Sequence, residues 1–270
     1  MTRRRIANVL QKEWRVIVAT RSNLLFLTLF PLLLIGQALF VIWLISRFVG
    51  GPALEAGMVQ NAMENVARPL PEVATLTPPR QFVILLLGQF NFFLLLIPAM
   101  IANVFATLSI VEEKLTRSLE PLLATPVRTW ELLLGKALSG AIPALLVTWV
   151  CAGVFWASAV GLGWGPLLRF VVTPTWWLVL LLLTPVMTGL SFLIGVVGSS
   201  RAKDVKGAQN MAVIVVLPVF AIIVVQVTGL LWFTPLLTLA FALGLLLLDA
   251  ALLYLAVRLF QRETIVVRWR

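Results

Sequence analysis

Between Arg21 and Arg47 the chain carries no charged side chain, and Leu24 to Ile45 reads LLFLTLFPLLLIGQALFVIWLI. About 20 apolar residues in a helix cross the hydrocarbon core of a bilayer. Inside that core every backbone N–H and C=O must be satisfied within the protein, so such a run folds as a helix. The pattern recurs in LTLAFALGLLLLDAALLYLAV, Leu237 to Val257, where one acid is the sole charge. The 270 residues are 61% hydrophobic and 12% charged, against about 25% charged in a soluble domain. These runs lack the apolar-out, polar-in alternation of a membrane barrel. The expected fold class is all-α, a polytopic membrane protein.

Six spans are expected, at 23–46, 82–110, 131–160, 176–199, 209–231 and 234–257. TGLLWFTP makes the tight turn between the last two, with Trp232 as an interfacial anchor and Pro235 opening the next helix. Of the 21 Lys and Arg, only Arg47, Arg68, Arg80 and Arg169 fall on one side. The positive-inside rule then places both termini and the segment 111–128 in the cytoplasm, and the loop 47–80 outside. That loop could hold a short helix around EAGMVQNAMENV and is too small for an independent domain. One domain, 1–270, in the cell (inner) membrane is the simplest organisation. The net charge of +10 is explained by the membrane, with no nucleic-acid partner. MTRRR leads into an amphipathic segment and is not read as a cleavable signal. Cys151 is the single cysteine and His is absent, which excludes an internal disulfide and His-based metal or acid–base chemistry. No cofactor or metal is expected. GLGWGPLL, after the third span, reads as a re-entrant or interfacial turn anchored by Trp164.

The amino-terminal stretch RRRIANVLQKEWRVIV has helical periodicity. Ile6, Val9, Leu10, Trp14 and Ile17 share one face, and Arg4, Arg5, Asn8, Lys12 and Arg15 the other. Such a helix, 1–22, lies in the headgroup layer with its basic face outward. Glu13 breaks the pattern by projecting near the middle of the apolar face. A bare carboxylate there requires a cation or a hydrogen-bond donor. A basic residue near a helix end is the expected partner, Arg21 being one candidate; a rotated helix that lets Glu13 reach water is the alternative.

Polar residues inside the spans are Gln37, Gln89, Asn91, Asn103, Gln226 and Asp249. Each is by default an interhelical hydrogen-bonding group; Gln89, Asn91, Asn103 and Asp249 are also the candidates for a polar path through the bundle. Ser191, Gly195 and Ser199 form a small-residue stripe on the fourth span that permits close helix approach, by default within one protomer. Pro185 and Gly189 are expected to kink that span.

SIVEEKLTRSLEPLLATPVRTWELLLGK, Ser109 to Lys136, is the one dense charged segment in the middle of the chain. Leu115, Leu119, Leu122 and Leu123 fall on one helical face. Glu113 and Arg117 form a favourable i, i+4 pair. Thr125 reads as an N-cap, with Pro126 at the first helical position. An ordinary cytoplasmic loop satisfies this pattern. So does an apolar face rimmed by charge that docks into a groove on a soluble partner.

EEKLTRSLEPLLATPVRTWELLLGK resembles the cytoplasmic segment of type-2 ABC exporter permeases, and LQKEWRVIVATRSNLLFLTLFPLLL is similar to the opening of the same family. The resemblance implies a coupling helix between spans two and three that contacts a separate ABC ATPase subunit. Carried over, Glu112, Glu113, Lys114 and Arg117 supply polar contacts, and Leu119, Leu122 and Leu123 the apolar face. Glu13 and Trp14 belong to the interfacial helix. The outer loop is far shorter than in members with an extracytoplasmic domain.

No G-x-x-x-x-G-K-[ST] phosphate loop occurs; LLLGKAL lacks the first Gly and the hydroxyl. The chain is therefore read as no enzyme, and nucleotide would bind on another subunit. The leading expectation is the permease half of an ABC exporter, acting as a homodimer or paired with a similar permease in the lipid bilayer. A self-contained secondary transporter or channel, or a non-transporting membrane scaffold, is the alternative.

Overall fold

The computed structural model describes residues 2–48, 57–67, 70–115, 129–201, 212–227 and 233–259. Of these, 93% are helical and none is in a strand, as apolar runs that must satisfy their own backbone require. The order is α1 (Thr2–Ala19), α2 (Arg21–Phe48), α3 (Gly57–Ala67), α4 (Pro71–Ala74), α5 (Pro78–Phe93) and α6 (Leu96–Leu115). After these come α7 (Thr129–Gly161), α8 (Gly165–Val171), α9 (Pro174–Leu178), a π-type turn (Val179–Leu183), α10 (Thr184–Arg201), α11 (Ala212–Val227) and α12 (Pro235–Leu259).

Among the described residues, five stretches are long and apolar enough to cross a membrane: Arg21–Phe48, Pro78–Val111, Trp130–Gly161, Pro174–Ser199 and Pro235–Leu259. The first four each contain an expected span, and the fifth begins one residue after the expected 234. The remaining expected span, 209–231, contains α11, a helix of 16 residues whose flanks lie outside the described residues. The short helix expected in the 47–80 loop corresponds to α3.

Two spans are interrupted. The second breaks at Leu94–Leu95, where Leu95 N–H turns back to the Phe92 carbonyl at 3.1 Å and Ile97 N–H to the Leu94 carbonyl at 3.3 Å. Pro98 lies just beyond. It has no N–H to give the carbonyl four residues earlier, and its ring crowds that carbonyl. This break was not expected. In the fourth span the irregularity precedes Pro185 by a turn instead of falling at Pro185–Gly189. The helix widens to π over Val179–Leu183, and Thr184 Oγ1 donates to the Val179 carbonyl at 2.9 Å. A proline ring displaces the carbonyl one turn before it, so the backbone adjusts there. Gly163, at φ +86°, turns the chain between α7 and α8, where a left-handed conformation favours a residue without Cβ. This is the expected GLGWGPLL turn, and Trp164 stands immediately before α8.

The second and fourth spans form the core, with 78% and 72% of their apolar windows buried, against 22% and 11% for the first and last. Their contact, α6 on α10, is the most extensive in the bundle. A Cβ on Gly195 would lie 2.9 Å from Ala106 Cβ and 3.0 Å from the Asn103 carbonyl. The small-residue stripe therefore packs within one chain. Asn103, fully buried, donates from Nδ2 to the Ser191 carbonyl at 3.1 Å. α12 covers α10 on the outside, with Asp249 Oδ2 occupying the space that a Cβ on Gly189 would meet at 3.2 Å. The outward faces of α2 and α12, including Leu25, Leu33, Phe40, Leu243 and Leu247, are the apolar exterior of a protein solvated by lipid.

Candidate functional site

The amino-terminal helix does not float free. It lies along the start of α7, and Gly135 lets it approach: a Cβ there would be 2.8 Å from Val9 Cγ1. Trp14 Nε1 donates to the Ser139 carbonyl at 3.0 Å. Arg5 Nη1 stands 3.5 Å from Glu131 Oε2, whose side chain is almost fully buried. Ile6, Val9, Leu10 and Ile17 are turned at least partly inward, while Arg4, Asn8, Lys12 and Arg15 are exposed. This is the division the sequence predicts except at two residues: Trp14 is displaced to the rim, and Arg5, expected on the outward face, is half-buried and turned to Glu131.

Glu13 sits in the middle of that inward face, 8% exposed. Its Oε2 accepts from Ser109 Oγ at 3.0 Å, and its Oε1 lies 3.4 Å from Lys136 Nζ. Lys136, 3% exposed, also donates to Ser109 Oγ. Lys12, half exposed, flanks the carboxylate at 3.8 Å. The required cation is thus a lysine at a helix start, not Arg21. The reason is local: α1 ends at Ala19, and Arg21 opens the next helix with its side chain exposed. The rotated-helix alternative fails because Glu13 is buried.

The three residues come from three helices. Glu13 is on α1, Ser109 one and a half turns before the end of α6 at Leu115, and Lys136 two turns into α7, which begins at Thr129. They close the base of the segment 116–128 on both arms. A buried carboxylate and ammonium, each hydrogen-bonded to a shared hydroxyl, balance each other's charge and hold fixed geometry. That arrangement joins helices. The Ser109 hydroxyl donates to Glu13 and accepts from Lys136, so it bridges the pair, and the arrangement is mechanical in character.

The sequence pointed to Glu13 through its misfit on an apolar face. It gave no sign of Ser109, Lys136, Ser139, Arg5 or Glu131 as partners, because periodicity locates a face and not what another helix brings to it. Of the coupling residues, Glu112, Glu113 and Lys114 lie on the last turn of α6, their side chains outside the described residues. Arg117, Leu119, Leu122 and Leu123, the Glu113–Arg117 pair and the Thr125 cap also lie outside them. So does the side chain of Gln226.

The other intramembrane polar residues do not converge on one point. Asn103 makes the α6–α10 contact already described. Asn91 donates from Nδ2 to the Trp176 carbonyl at 3.4 Å, while its Oδ1 is buried without a partner. It lines a cavity of about 290 Å³ with Phe170, Thr175, Trp176 and Phe233. Gln89 and Gln37 line a second cavity, of about 430 Å³, between α2, the second span and α11. Asp249 Oδ1 is buried without a partner against α10. Among the described residues no group of His, Cys, Asp and Glu is arranged to hold a metal.

Residues 7–260 match the family model described as an ABC-2 family transporter protein. The chain belongs to the ABC-2 family. Comparison with curated proteins and with solved structures returned no match. An ABC-2 permease is the membrane component of an ABC transporter, not its ATPase, and such permeases generally pair with an ABC ATPase subunit. The match runs from within α1 to the end of α12, so the Glu13–Ser109–Lys136 junction and both cavities fall inside it.

Proposed function

We propose that this ABC-2 permease is the transmembrane half of an ATP-driven exporter, with a separate ATPase docked on the 111–128 segment. Glu112, Glu113, Lys114 and Arg117 make polar contacts to that subunit, and Leu119, Leu122 and Leu123 fill its groove. Force received there passes into spans two and three, which leave the two ends of the segment. The observation that carries this reading is the buried Glu13–Ser109–Lys136 junction. It ties both arms of the segment to one interfacial helix, so a push on the segment moves three helices as one body.

The chain acts as a single six-span permease domain in the cell (inner) membrane, paired with a second copy or a similar permease across a two-fold axis. Both termini and the coupling segment face the cytoplasm, and 47–80 faces outside. Gln89, Asn91, Asn103 and Asp249 stand near the path or brace the helices around it.

The test is association. The chain purified from its source membranes is expected to bring down a P-loop ATPase whose ATP hydrolysis depends on residues 112–128. Replacing Glu113, Leu119 and Leu123 together by alanine should abolish both co-purification and coupled hydrolysis. Retention of both by the triple variant rejects the assignment.

A further inference from the structure

The 430 Å³ cavity between α2, the second span and α11 lies within the range of about 300–1,000 Å³ usual for small-molecule sites. Its wall is apolar, with Phe30, Leu34, Phe90, Phe93 and Val216 among the lining residues. No charged side chain lines it; two amides do, Gln37 from α2 and Gln89 from α5. Gln89 is 3% exposed, and its Oε1 is buried with no hydrogen-bond partner. Gln37, in the middle of a membrane-length helix, is exposed and marks the cavity mouth together with Val41 and Phe220.

A buried acceptor without a donor is a standing penalty, and in a low-dielectric interior it is relieved most by a donor that arrives with its own apolar body. An ion would lose its hydration and find no counter-charge. A lipid chain or a helix from a second copy would fill the apolar volume and leave Gln89 unpaired.

We infer that this cavity binds an uncharged, mainly apolar molecule carrying one hydrogen-bond donor, with Gln89 Oε1 as the acceptor and Gln37 at the entrance. That this molecule is cargo rests on the exporter reading; that it binds here does not. The cavity is also placed to feel the coupling segment. Phe93 and Leu96, either side of the break in the second span, line it, as does Met100. α6 runs from Leu96 at the cavity to Ser109 at the ionic junction. A shift of that one helix reshapes the cavity wall.

The test compares 4-octylphenol with its methyl ether, 4-octylanisole, which cannot donate. Binding of each is measured by equilibrium dialysis on the full chain in lipid nanodiscs, against empty nanodiscs. The wild-type chain should hold the phenol about tenfold more tightly than the ether, as one hydrogen bond to a buried acceptor allows. Gln89→Leu should bring the phenol to the level of the ether and leave the ether unchanged. Ala38→Trp, which fills the cavity, should weaken both. Equal binding of the two by the wild type overturns the inference, as does a preference that survives Gln89→Leu or binding untouched by Ala38→Trp. Should Gln89→Leu not assemble, Gln89→Met and Ala38→Trp decide the question in its place. ATPase co-purification on the same preparations reports separately on the exporter reading.

Discussion

Glu13 shows how much one misplaced charge demands. Removing its carboxylate takes from the buried Lys136 ammonium the counter-charge 3.4 Å away; removing the ammonium leaves the carboxylate with Ser109 and the half-exposed Lys12. Breaking one side of a buried pair typically destabilises by about 3–5 kcal/mol. Glu13→Gln and Lys136→Met are each expected to lower stability by that order. The double variant should lose clearly less than the sum, because the interaction the two groups share is then lost only once. Thermal unfolding of the purified protein in one detergent measures the cycle, and strict additivity would show that the two groups do not act as a pair. Lys12, half exposed at the edge of the carboxylate, contributes little to this pair, since solvent screens it. Glu13's need for a partner was legible from helical periodicity. Lys136 as that partner was not, because more than a hundred residues separate the two and only the packing of α1 on α7 brings them together.

At the level of elements, two glycines set how close helices come. Gly135 admits Val9, and Gly195 admits α6. A methyl group at Gly135 collides with Val9, and overpacking of this kind costs about 1–3 kcal/mol. Gly135→Ala should therefore loosen α1, read as faster tryptic cleavage after Lys12 and Arg15. Adding Val9→Ala should slow that cleavage again by removing the group it strikes. If the double variant is cleaved as fast as Gly135→Ala alone, α1 is not seated by this contact. The Ser191–Gly195–Ser199 stripe could be read from spacing, although its partner, the Asn103–Thr107 face of α6, could not. The break before Pro98 is not legible in the sequence for a related reason. Pro31 and Pro143 sit inside continuous helices, so a proline in an apolar run does not announce whether the helix yields.

Across the whole molecule the two ends of the bundle differ. The junction of Glu13, Ser109 and Lys136 closes one end. At the other, Arg169 after the third span meets Glu72 before the second at 3.7 Å, both largely exposed. With Arg4, Arg5, Lys12, Arg15 and Lys136 at the first end, the orientation proposed above makes a direct prediction. In a Cys151→Ser background, Glu72→Cys should react with a membrane-impermeant maleimide in intact cells, and Arg4→Cys only after permeabilisation. The reverse pattern would invert the topology and remove the coupling segment from the reach of any cytoplasmic ATPase. The low burial of the first and last spans fits this same picture, in which lipid or a second permease covers what the chain leaves bare.

Length and unbroken apolarity of the runs were enough to establish an all-helical membrane protein, because a bilayer interior admits only helices and closed barrels and a barrel strand would alternate apolar with polar. Local periodicity was enough to show which face of α1 turns inward and that its carboxylate needs company. Which lysine answers it, where the second span gives way, and how an unpaired amide comes to line a cavity all depend on distant segments meeting. Those contacts are set by shape and charge across helices, and no local pattern along the chain encodes them.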